Sequence, residues 1–379
     1  MRVIVVGAGV LGASAAWHLA RAGAEVLVCD GAHEGRATAA GAGIICPWVS
    51  DAADRPFYQL YTAGGRYYET LVALLEEDGE TDLGFRRNGA LLVADHPDEI
   101  AAYADVLRQR RAQTPEMGQI EQVSPRDARG LFPPLRDDLA GVFVSGGARV
   151  DGRRLTAALL RAAQRHGAAM RPGEATLDLN GDAVIGVRVN RERIAADTVI
   201  VAAGVWAPAL LACMGIALPI HPQRGQIMHL HLPGQNTDNW PVVLPPGSHY
   251  LLAFEASKIV AGATRESDAG LDYRVTAAGQ AEILCEALRI APGLGNGTVV
   301  ETRIGFRPAA ADGRPLLGAV SPGARLLVGN GLGAAGLTIG PFAGRQLARL
   351  ALGEAAELDL RPFDPRREMR AGWRGPALR

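Results

Sequence analysis

Three glycines near the start of the chain, Gly7, Gly9 and Gly12, have the G-x-G-x-x-G spacing that lets a backbone approach a phosphate group closely. They follow a short apolar run at residues 3–6 and precede a segment without helix breakers at residues 13–21. The first glycine permits a tight turn, the second makes room for a pyrophosphate, and the third lets a helix pack against the strand. We therefore expect a strand, a turn and a helix whose N-terminus binds the diphosphate of a dinucleotide.

An acid at the end of the next predicted strand supports this interpretation. Asp30 closes the apolar segment Glu25–Asp30, about twenty residues after the glycines, where a carboxylate can bind ribose hydroxyls. Its negative charge would repel a 2′-phosphate, which disfavours NADP. The glycine motif alone fits both NAD and FAD, so other residues must separate these two cofactors.

Two further segments bear on that choice. Residues 35–45 form a run of mostly small residues with one arginine, Arg36, and one threonine, Thr38. Residues 329–337 form a second glycine-rich loop, which leads into a predicted helix. The dipole and free N–H groups at the start of that helix would stabilise negative charge on a reduced flavin.

Here the sequence resembles the family of FAD enzymes that includes D-amino-acid oxidases, glycine oxidases and D-amino-acid dehydrogenases, over almost the whole chain. In that family the loop after the second strand wraps the pyrophosphate and lies against the flavin ring, where larger side chains would collide with it. Six further motifs follow the family's order: residues 149–151 (RVD), 174–176 (EAT), 202–206 (AAGVW), 222–226 (PQRGQ), 305–315 (GFRP and DGRP) and 329–337 (GNGLGAAGL).

Together, the motifs and the resemblance predict non-covalent FAD and no metal site. Some related enzymes attach FAD to a cysteine in the C-terminal loop; that loop has none here, and Cys46 does not match the attachment. The family's backbone contact to adenine falls at Ala175. The predicted cofactor contacts are Gly7, Gly9, Val10, Leu11, Gly12, Asp30, Gly31, Arg36, Thr38, Ala42, Gly43, Ile44, Ile45, Ala175, Ala203, Gly204, Trp206, Arg307, Gly333, Ala334, Ala335, Gly336, Leu337 and Thr338.

The elements that must position these residues predict an α/β plus α+β fold. Helices are expected at residues 57–79, 99–111, 154–166, 277–288 and 338–352, and strands at 89–94, 184–189, 193–201, 226–232, 250–254, 258–261 and 325–328. Nucleotide-related motifs at both ends enclose sheet-like material. We expect a discontinuous Rossmann-type FAD-binding domain (1–85, 141–218 and 300–368), an inserted substrate-binding domain on a mixed or antiparallel sheet (86–140 and 219–299), and a surface tail (369–379).

Composition narrows the class of protein. The chain of 379 residues has 39 Lys and Arg against 40 Asp and Glu, which argues against a nucleic-acid partner. Its four cysteines form no C-x-x-C pair, which argues against a zinc site or a disulfide framework and favours a reducing, cytoplasmic location. Uncharged runs at residues 3–20 and 198–223 are interrupted by glycine or proline, so no membrane span is expected. Peripheral association at the inner face of a membrane stays open, as does a homo-oligomer.

Arg307 is the principal candidate for substrate binding. A planar guanidinium can hold the carboxylate of an amino acid with two parallel hydrogen bonds, and Arg307 falls on the family's carboxylate-binding arginine. The resemblance assigns a similar contact to Tyr250. The glycine-rich segment at residues 329–337 is called the closing loop below. Glycine oxidases carry a further arginine in this loop, where this chain has Gly333, Ala334 and Ala335. The residues Trp48, His221, Arg224 and His249 are weaker candidates for the pocket lining.

The predicted reaction is FAD-dependent oxidative deamination of a small amino acid, with a D-amino acid as the first expectation. Hydride would pass from the Cα–H to flavin N5, and the imine would hydrolyse to a 2-oxo acid and ammonia. The alternatives are a secondary amino acid of the sarcosine, proline or hydroxyproline type, an NAD-dependent dehydrogenase, a tRNA-modifying oxidase and a non-catalytic flavin-binding module. The expected electron acceptor is either dioxygen or a quinone.

Overall fold

The computed structural model describes residues 1–50, 53–321 and 325–368. Its α-helices are α1 (Val10–Arg21), α2 (Ala37–Ala40), α3 (Arg55–Glu77), α4 (Pro97–Arg111), α5 (Pro125–Leu131), α6 (Gly152–Arg165), α7 (Ala207–Leu211), α8 (Ala277–Ile290) and α9 (Gly336–Ala351). Its strands are β1 (Arg2–Val6), β2 (Glu25–Asp30), β3 (Ile44–Ile45), β4 (Ala90–Ala94), β5 (Ile120–Val123), β6 (Ala140–Val144), β7 (Ala148–Arg149), β8 (Ala169–Pro172), β9 (Ala175–Asn180), β10 (Ala183–Val189), β11 (Glu192–Ala195), β12 (Thr198–Val201), β13 (Ile220–His231), β14 (Val242–Leu244), β15 (Tyr250–Phe254), β16 (Lys258–Gly262), β17 (Thr298–Ala310), β18 (Leu316–Ala319) and β19 (Leu326–Asn330).

The first sheet has six strands in the order β18-β19-β12-β1-β2-β8. Val3 of β1 pairs in parallel with Thr198 of β12 on one side and with Val26 of β2 on the other. β12 pairs in parallel with β19, whereas β18 closes the edge in the antiparallel direction. Val3, Ile4 and Val5 are completely buried, as expected for parallel strands covered on both faces. The sheet thus joins segments that are far apart in the sequence.

Helices α1 and α9 pack against each other through small residues. A Cβ added to Gly344 of α9 would lie 2.5 Å from the carbonyl oxygen of Leu11 in α1. The Ser14 hydroxyl donates a 2.6 Å hydrogen bond to the carbonyl oxygen of Pro341. A Cβ on Gly340 would lie 2.7 Å from Cγ1 of Val10, the first residue of α1. The N-terminal turns of the two helices are therefore neighbours.

The second sheet has eight strands in the order β17-β13-β16-β15-β14-β4-β6-β5. It is mixed, because β14 and β4 run parallel while the other pairs are antiparallel. Its longest pairing joins β13 to β17 from the Ile220–Ala310 pair to the His231–Thr298 pair. Within that pairing Gln223 lies opposite Arg307. This register fixes Arg307 on a strand rather than on a loop.

The strand predicted at residues 193–201 is two strands. β11 pairs antiparallel with β10, whereas β12 joins the six-stranded sheet. Between them, Asp197 donates its backbone N–H to the carbonyl oxygen of Arg2, and its carboxylate accepts the backbone N–H of Arg2 at 2.8 Å. The chain therefore changes sheets because of a contact with a residue far away in the sequence, which the local apolar pattern does not contain.

β13 begins at Ile220, six residues before the predicted start at residue 226. Pro222 is tolerated within it because β16 pairs with β13 only from Ile227 onwards. The missing N–H of the proline therefore faces no strand on that side.

The predicted domain bounds stay a prediction, and two strands cross them. β6 and β17 belong to the eight-stranded sheet, although the predicted bounds assign residues from 141 and from 300 to the cofactor domain. The predicted tail at residues 369–379 lies outside the described residues. Within the described part of the chain, no helix combines the length and apolar character that crossing a membrane requires.

Candidate active site

A cavity of about 960 Å³ is lined by residues of both sheets and of the loops that join them to α1 and α9. The glycine turn before α1 forms one part of its wall through Gly7, Gly9, Val10 and Leu11. Gly7 has φ +107°, and a Cβ there would lie 2.4 Å from the carbonyl oxygen of Ala202. α1 then begins without a side-chain cap and without an acid in its first turn. This helix terminus can accept a phosphate without competition from a carboxylate.

Asp30 lines the cavity at the end of β2. Its carboxylate accepts the backbone N–H of Ala8 at 2.6 Å and that of Ala32 at 2.7 Å. The Arg36 guanidinium lies 3.5 Å from it. These bonds hold the carboxylate next to the glycine turn, within the wall that also includes Gly31.

The loop at residues 35–45, called the small-residue loop below, is held in place by contacts with Val150 and with the start of α1. A Cβ on Gly43, which has φ +98°, would lie 1.9 Å from the carbonyl oxygen of Val150. The Thr38 hydroxyl accepts the backbone N–H of Val10 at 3.1 Å, which ties the loop to the start of α1. Thr38, Ala42, Gly43 and Ile44 face the cavity. The loop therefore offers a mostly small-residue surface of fixed position.

The end of the cavity near β9 contains a pair of stacked rings. Ala175 lines it together with Ala203, Gly204 and Trp206. The imidazole of His33 stacks on the indole of Trp206, with ring centroids 4.6 Å apart and an interplanar angle of 16°. Sequence reasoning did not find His33, since nothing in its local pattern signals a contact with Trp206.

The closing glycine loop completes the wall. Gly333, Ala334, Ala335, Gly336 and Leu337 all line the cavity. α9 begins at Gly336 rather than at the predicted residue 338, again without a side-chain cap. Two uncapped helix N-termini therefore face the same space.

The residues present fit a bound dinucleotide. At Gly204 (φ +54°) and Gly333 (φ +52°), an added Cβ would meet no atom within 4 Å, so both backbones border open space. Among the described residues of the lining, the carboxylate side chains are those of Asp30 and Glu174. The other described lining residues carry no acid that would repel a pyrophosphate.

Three predicted cofactor contacts lie behind the lining. A Cβ on Gly12 would lie 1.9 Å from the carbonyl oxygen of Gly7, so this glycine serves helix packing. Ile45 is 2% exposed and belongs to the hydrophobic core that α1, α3 and α9 share. The Thr338 hydroxyl donates to the carbonyl oxygen of Ile44 at 3.0 Å and supports the small-residue loop.

Arg307 lines the cavity from β17, and its Nη1 donates a 3.1 Å hydrogen bond to the carbonyl oxygen of Thr264. A Cβ on Gly225 of the neighbouring strand would lie 2.5 Å from the same Nη1, so the guanidinium rests on a glycine. Burial lowers the pKa of Arg307 from its ordinary value. A half-buried guanidinium that pairs with no carboxylate of the described residues is well suited to an anionic ligand.

Tyr250 lines the same part of the cavity from β15. Burial raises the pKa of its hydroxyl, and the positive charges of Arg307 and Arg265 oppose the rise. The hydroxyl is therefore neutral at pH 7 and can donate a hydrogen bond.

Arg265 is a lining residue that sequence reasoning missed. It is an exposed residue on the loop between β16 and α8, and its guanidinium makes no hydrogen bond or ion pair with the described residues. Its positive charge acts on Tyr61, Tyr250 and Arg307. No local motif marks it, because an arginine on a polar loop is usually a solvated surface residue.

Of the four weaker candidates, only His221 lines the cavity. The Trp48 indole donates to the carbonyl oxygen of Gly146 at 2.9 Å. The Arg224 guanidinium pairs with Glu266 and Asp272, and His249 lies 3.3 Å from Glu282. These three side chains support the surrounding structure.

The cysteines and acids of the described residues offer no metal centre, since no group of three or more His, Cys, Asp or Glu side chains lies close enough together. Cys213 lies in the lining, whereas Cys46 is buried behind it.

Comparison with known proteins identifies the cofactor. The model of the FAD dependent oxidoreductase (DAO) family matches residues 2–350. The chain belongs to this family. It is an FAD-dependent oxidoreductase, and the predicted family, fold class and cofactor are confirmed.

Similar members of the family cover almost the whole chain. An uncharacterised oxidoreductase, YurR of Bacillus subtilis (strain 168), is 47% identical over 363 residues, which are 96% of this chain and 98% of that protein. A glycine oxidase of Pseudomonas aeruginosa is 30% identical over 370 residues, or 96% of this chain and 98% of that protein. Among solved structures, iminodiacetate oxidase (IdaA) from Chelativorans sp. BNC1 is 50% identical with a TM-score of 0.93, covering 96% of this chain and 99% of that chain.

Proposed function

We propose that this FAD-dependent oxidoreductase oxidises the carbon–nitrogen bond of a secondary amino acid, an N-substituted glycine with at least one carboxylate. The observation that carries the proposal is the pair of guanidiniums, Arg307 and Arg265, in a part of the cavity wall whose described residues include no acid. The 50% identity with a solved iminodiacetate oxidase across nearly the whole chain supports the same substrate class.

Bound FAD supplies the two-electron oxidation, by accepting a hydride from the carbon next to the nitrogen. The protein's own task is to place that carbon. Arg307 holds the substrate carboxylate with parallel hydrogen bonds, and Gly225 leaves the space that its guanidinium occupies. Arg265 adds a second positive charge from the loop side. Together they fix the carboxylate, and through it the adjacent carbon.

Tyr250 takes part as a neutral hydrogen-bond donor to the carboxylate, because burial keeps its proton on the oxygen. The substrate amine loses a hydride and a proton to become R–N=CH–COO⁻. Water then adds to this imine and gives the amine R–NH2 and glyoxylate. The electrons pass on to dioxygen or to a quinone, and peroxide release distinguishes the two acceptors.

A primary amino acid, including the D-amino acid first expected, is the competing substrate class. The 30% identity with a glycine oxidase favours it. Against it, the closing loop has Gly333, Ala334 and Ala335 at the place where the resemblance puts a further arginine in glycine oxidases.

The test is anaerobic mixing of the purified yellow enzyme with a panel of candidate substrates, while the flavin absorbance is recorded. The panel contains iminodiacetate, sarcosine, L- and D-proline, glycine and D-alanine. We expect bleaching by iminodiacetate or sarcosine and formation of glyoxylate. Bleaching by D-alanine or glycine alone would refute the proposal. Arg307→Lys keeps the charge but loses the planar fork, so its KM should rise by about tenfold or more.

A further inference from the structure

The cavity has a polar wall on α3 that the proposed reaction does not use. Ser50, just before α3, and Tyr61, on α3, both line the cavity. Ser50 is 1% exposed, and its hydroxyl has no hydrogen-bond partner among the described residues. A buried hydroxyl without a partner costs free energy, so its presence in a ligand cavity points to a group that the ligand brings.

Tyr61 lies next to this hydroxyl. Burial raises its pKa to about 12, while the nearby hydroxyls of Thr338 and Ser50 oppose the rise. The Ser50 hydroxyl lies close to Tyr61 but not in hydrogen-bond geometry. The Tyr61 hydroxyl is therefore protonated at any physiological pH and can donate a hydrogen bond. The ring is held by Phe57, one helical turn earlier, with ring centroids 5.7 Å apart.

The positive charge of Arg265 influences both this wall and the substrate end of the cavity. The Arg265 guanidinium acts on Tyr61 as well as on Tyr250 and Arg307. Tyr61 also lines the same cavity as Arg307 and Tyr250, the two residues proposed to hold the first carboxylate. A substrate fixed at Arg307 can extend its nitrogen substituent from β17 towards α3.

We propose that Ser50 and Tyr61 form a second anchoring point, which binds a distal carboxylate on the nitrogen substituent of the substrate. This inference rests on the proposed function and adds the substrate's second arm to it. Each hydroxyl donates one hydrogen bond to the carboxylate, and Arg265 compensates its charge. The site would then favour dicarboxylic secondary amines over N-methyl ones.

The experiment uses ligands in which an ether oxygen replaces the amine, so that binding is measured without turnover. Oxydiacetate has two carboxylate arms, whereas methoxyacetate has one carboxylate and a methyl group. Their affinities are read from the change that they cause in the absorbance of the bound FAD. For the wild type, oxydiacetate should bind more tightly than methoxyacetate.

Tyr61→Phe and Ser50→Ala should each weaken oxydiacetate binding by about tenfold and change methoxyacetate binding by less than twofold, because only the distal arm loses a hydrogen bond to a charged group. Tyr58→Phe is the matched control. Tyr58 lies on the same helix outside the cavity lining, with its hydroxyl 3.4 Å from the carbonyl oxygen of Trp48. It should change neither affinity.

If the variants lost affinity equally for both ligands, or lost none for oxydiacetate, the second anchoring point would be overturned. The same would follow if the wild type did not prefer oxydiacetate. An altered flavin spectrum or weaker FAD retention in the unliganded variants would assign the hydroxyls to the cofactor instead, and would also overturn it. If the enzyme oxidises no secondary amine, the proposed function fails, whereas the ether affinities still decide about the anchoring point.

Discussion

The Nη1 atom of Arg307 donates a hydrogen bond to the carbonyl oxygen of Thr264, the residue directly before Arg265. The two guanidiniums of the substrate cavity are thus tied to one short segment, although they are 42 residues apart in the sequence. Whatever fixes this segment also fixes the spacing of the two positive charges.

Glu266 fixes that segment. Its carboxylate accepts hydrogen bonds from Arg224 Nε at 3.0 Å, from Gln226 Nε2 at 2.9 Å and from the Thr264 hydroxyl at 2.7 Å. Glu266→Gln removes the charge that pairs with the buried Arg224. We expect the substrate KM to rise by about three- to tenfold while kcat stays within twofold, because ground-state and transition-state binding weaken together.

The control for Glu266 is Glu286→Gln on α8, where the carboxylate pairs with Arg289. It should leave both kinetic constants unchanged. A fall in kcat at constant KM in Glu266→Gln would contradict a positioning role for this residue.

Gly225 leaves the space that the Arg307 guanidinium occupies. A methyl group at this position would lie 2.5 Å from Nη1 and 2.6 Å from Cζ, so Gly225→Ala must displace the guanidinium. We expect KM to rise by about tenfold or more, while the free energy of unfolding changes by less than about 1 kcal/mol, since a flexible side chain can move away.

Gly130→Ala provides the comparison, because a Cβ there meets no atom within 4 Å and α5 gains helix propensity. Steady-state kinetics and urea unfolding measure both variants. A Gly225→Ala enzyme with the KM of the wild type would show that Arg307 does not set substrate affinity.

Asp30 should determine how tightly FAD is held. Asp30→Asn keeps the size of the side chain but weakens its bonds to the N–H groups of Ala8 and Ala32 and to the ribose. The FAD dissociation constant should rise by about tenfold, which corresponds to about 1.4 kcal/mol. Fluorescence of released FAD during dialysis is the measurement.

Asp197→Asn, which also alters a carboxylate that accepts a backbone N–H, serves as the control far from the cavity. Equal FAD loss from both variants would mean that Asp30 acts through general stability alone.

The ion pairs of Glu80 with Arg161 and Arg165 should make the free energy of unfolding depend on pH. Glu80 is 3% exposed, and its carboxylate lies between Arg161 and Arg165, 2.6 Å from the latter. Burial alone would raise the pKa of Glu80, but the two arginines bring it below the ordinary value of 4.5. The stabilisation is therefore complete above about pH 4.5 and is lost as the pH falls through the folded-state pKa.

Glu80→Gln should lower the free energy of unfolding by about 1–2 kcal/mol at pH 7, and the difference from the wild type should shrink below pH 4.5. Urea unfolding at several pH values measures it. Glu77→Gln, at an exposed pair with Arg21, should change stability by less than about 0.5 kcal/mol. A pH-independent deficit in Glu80→Gln would rule out this electrostatic explanation.

The cofactor unit was predictable because its determinants are local. Gly7, Gly9, Gly12 and Asp30 occur within one β-α-β segment, where spacing, apolar runs and turn chemistry all indicate the same structure. Helix α3 was predicted within two residues at each end, since its apolar stripe is long and uninterrupted.

The substrate end was less predictable because its determinants are distant in the sequence. Arg265 acquires its role only when β16 and β17 bring Thr264 next to Arg307, and Tyr61 faces a cavity from a helix whose pattern explains it as a core residue. The strand break at Asp197 likewise depends on Arg2. Single-sequence patterns describe the neighbours along the chain and not those across a sheet.

The position of β1 between β2 and β12, with β19 beyond β12, has a consequence for biosynthesis. During translation, the first strand leaves the ribosome about 320 residues before the last strand of its parallel array and the start of α9. The glycine turn after β1 therefore has no partner from β19 or α9 until the strands of the eight-stranded sheet have been synthesised. The FAD site is therefore complete only near the end of synthesis, and a chain released before β19 would expose the edge of β12 to aggregation.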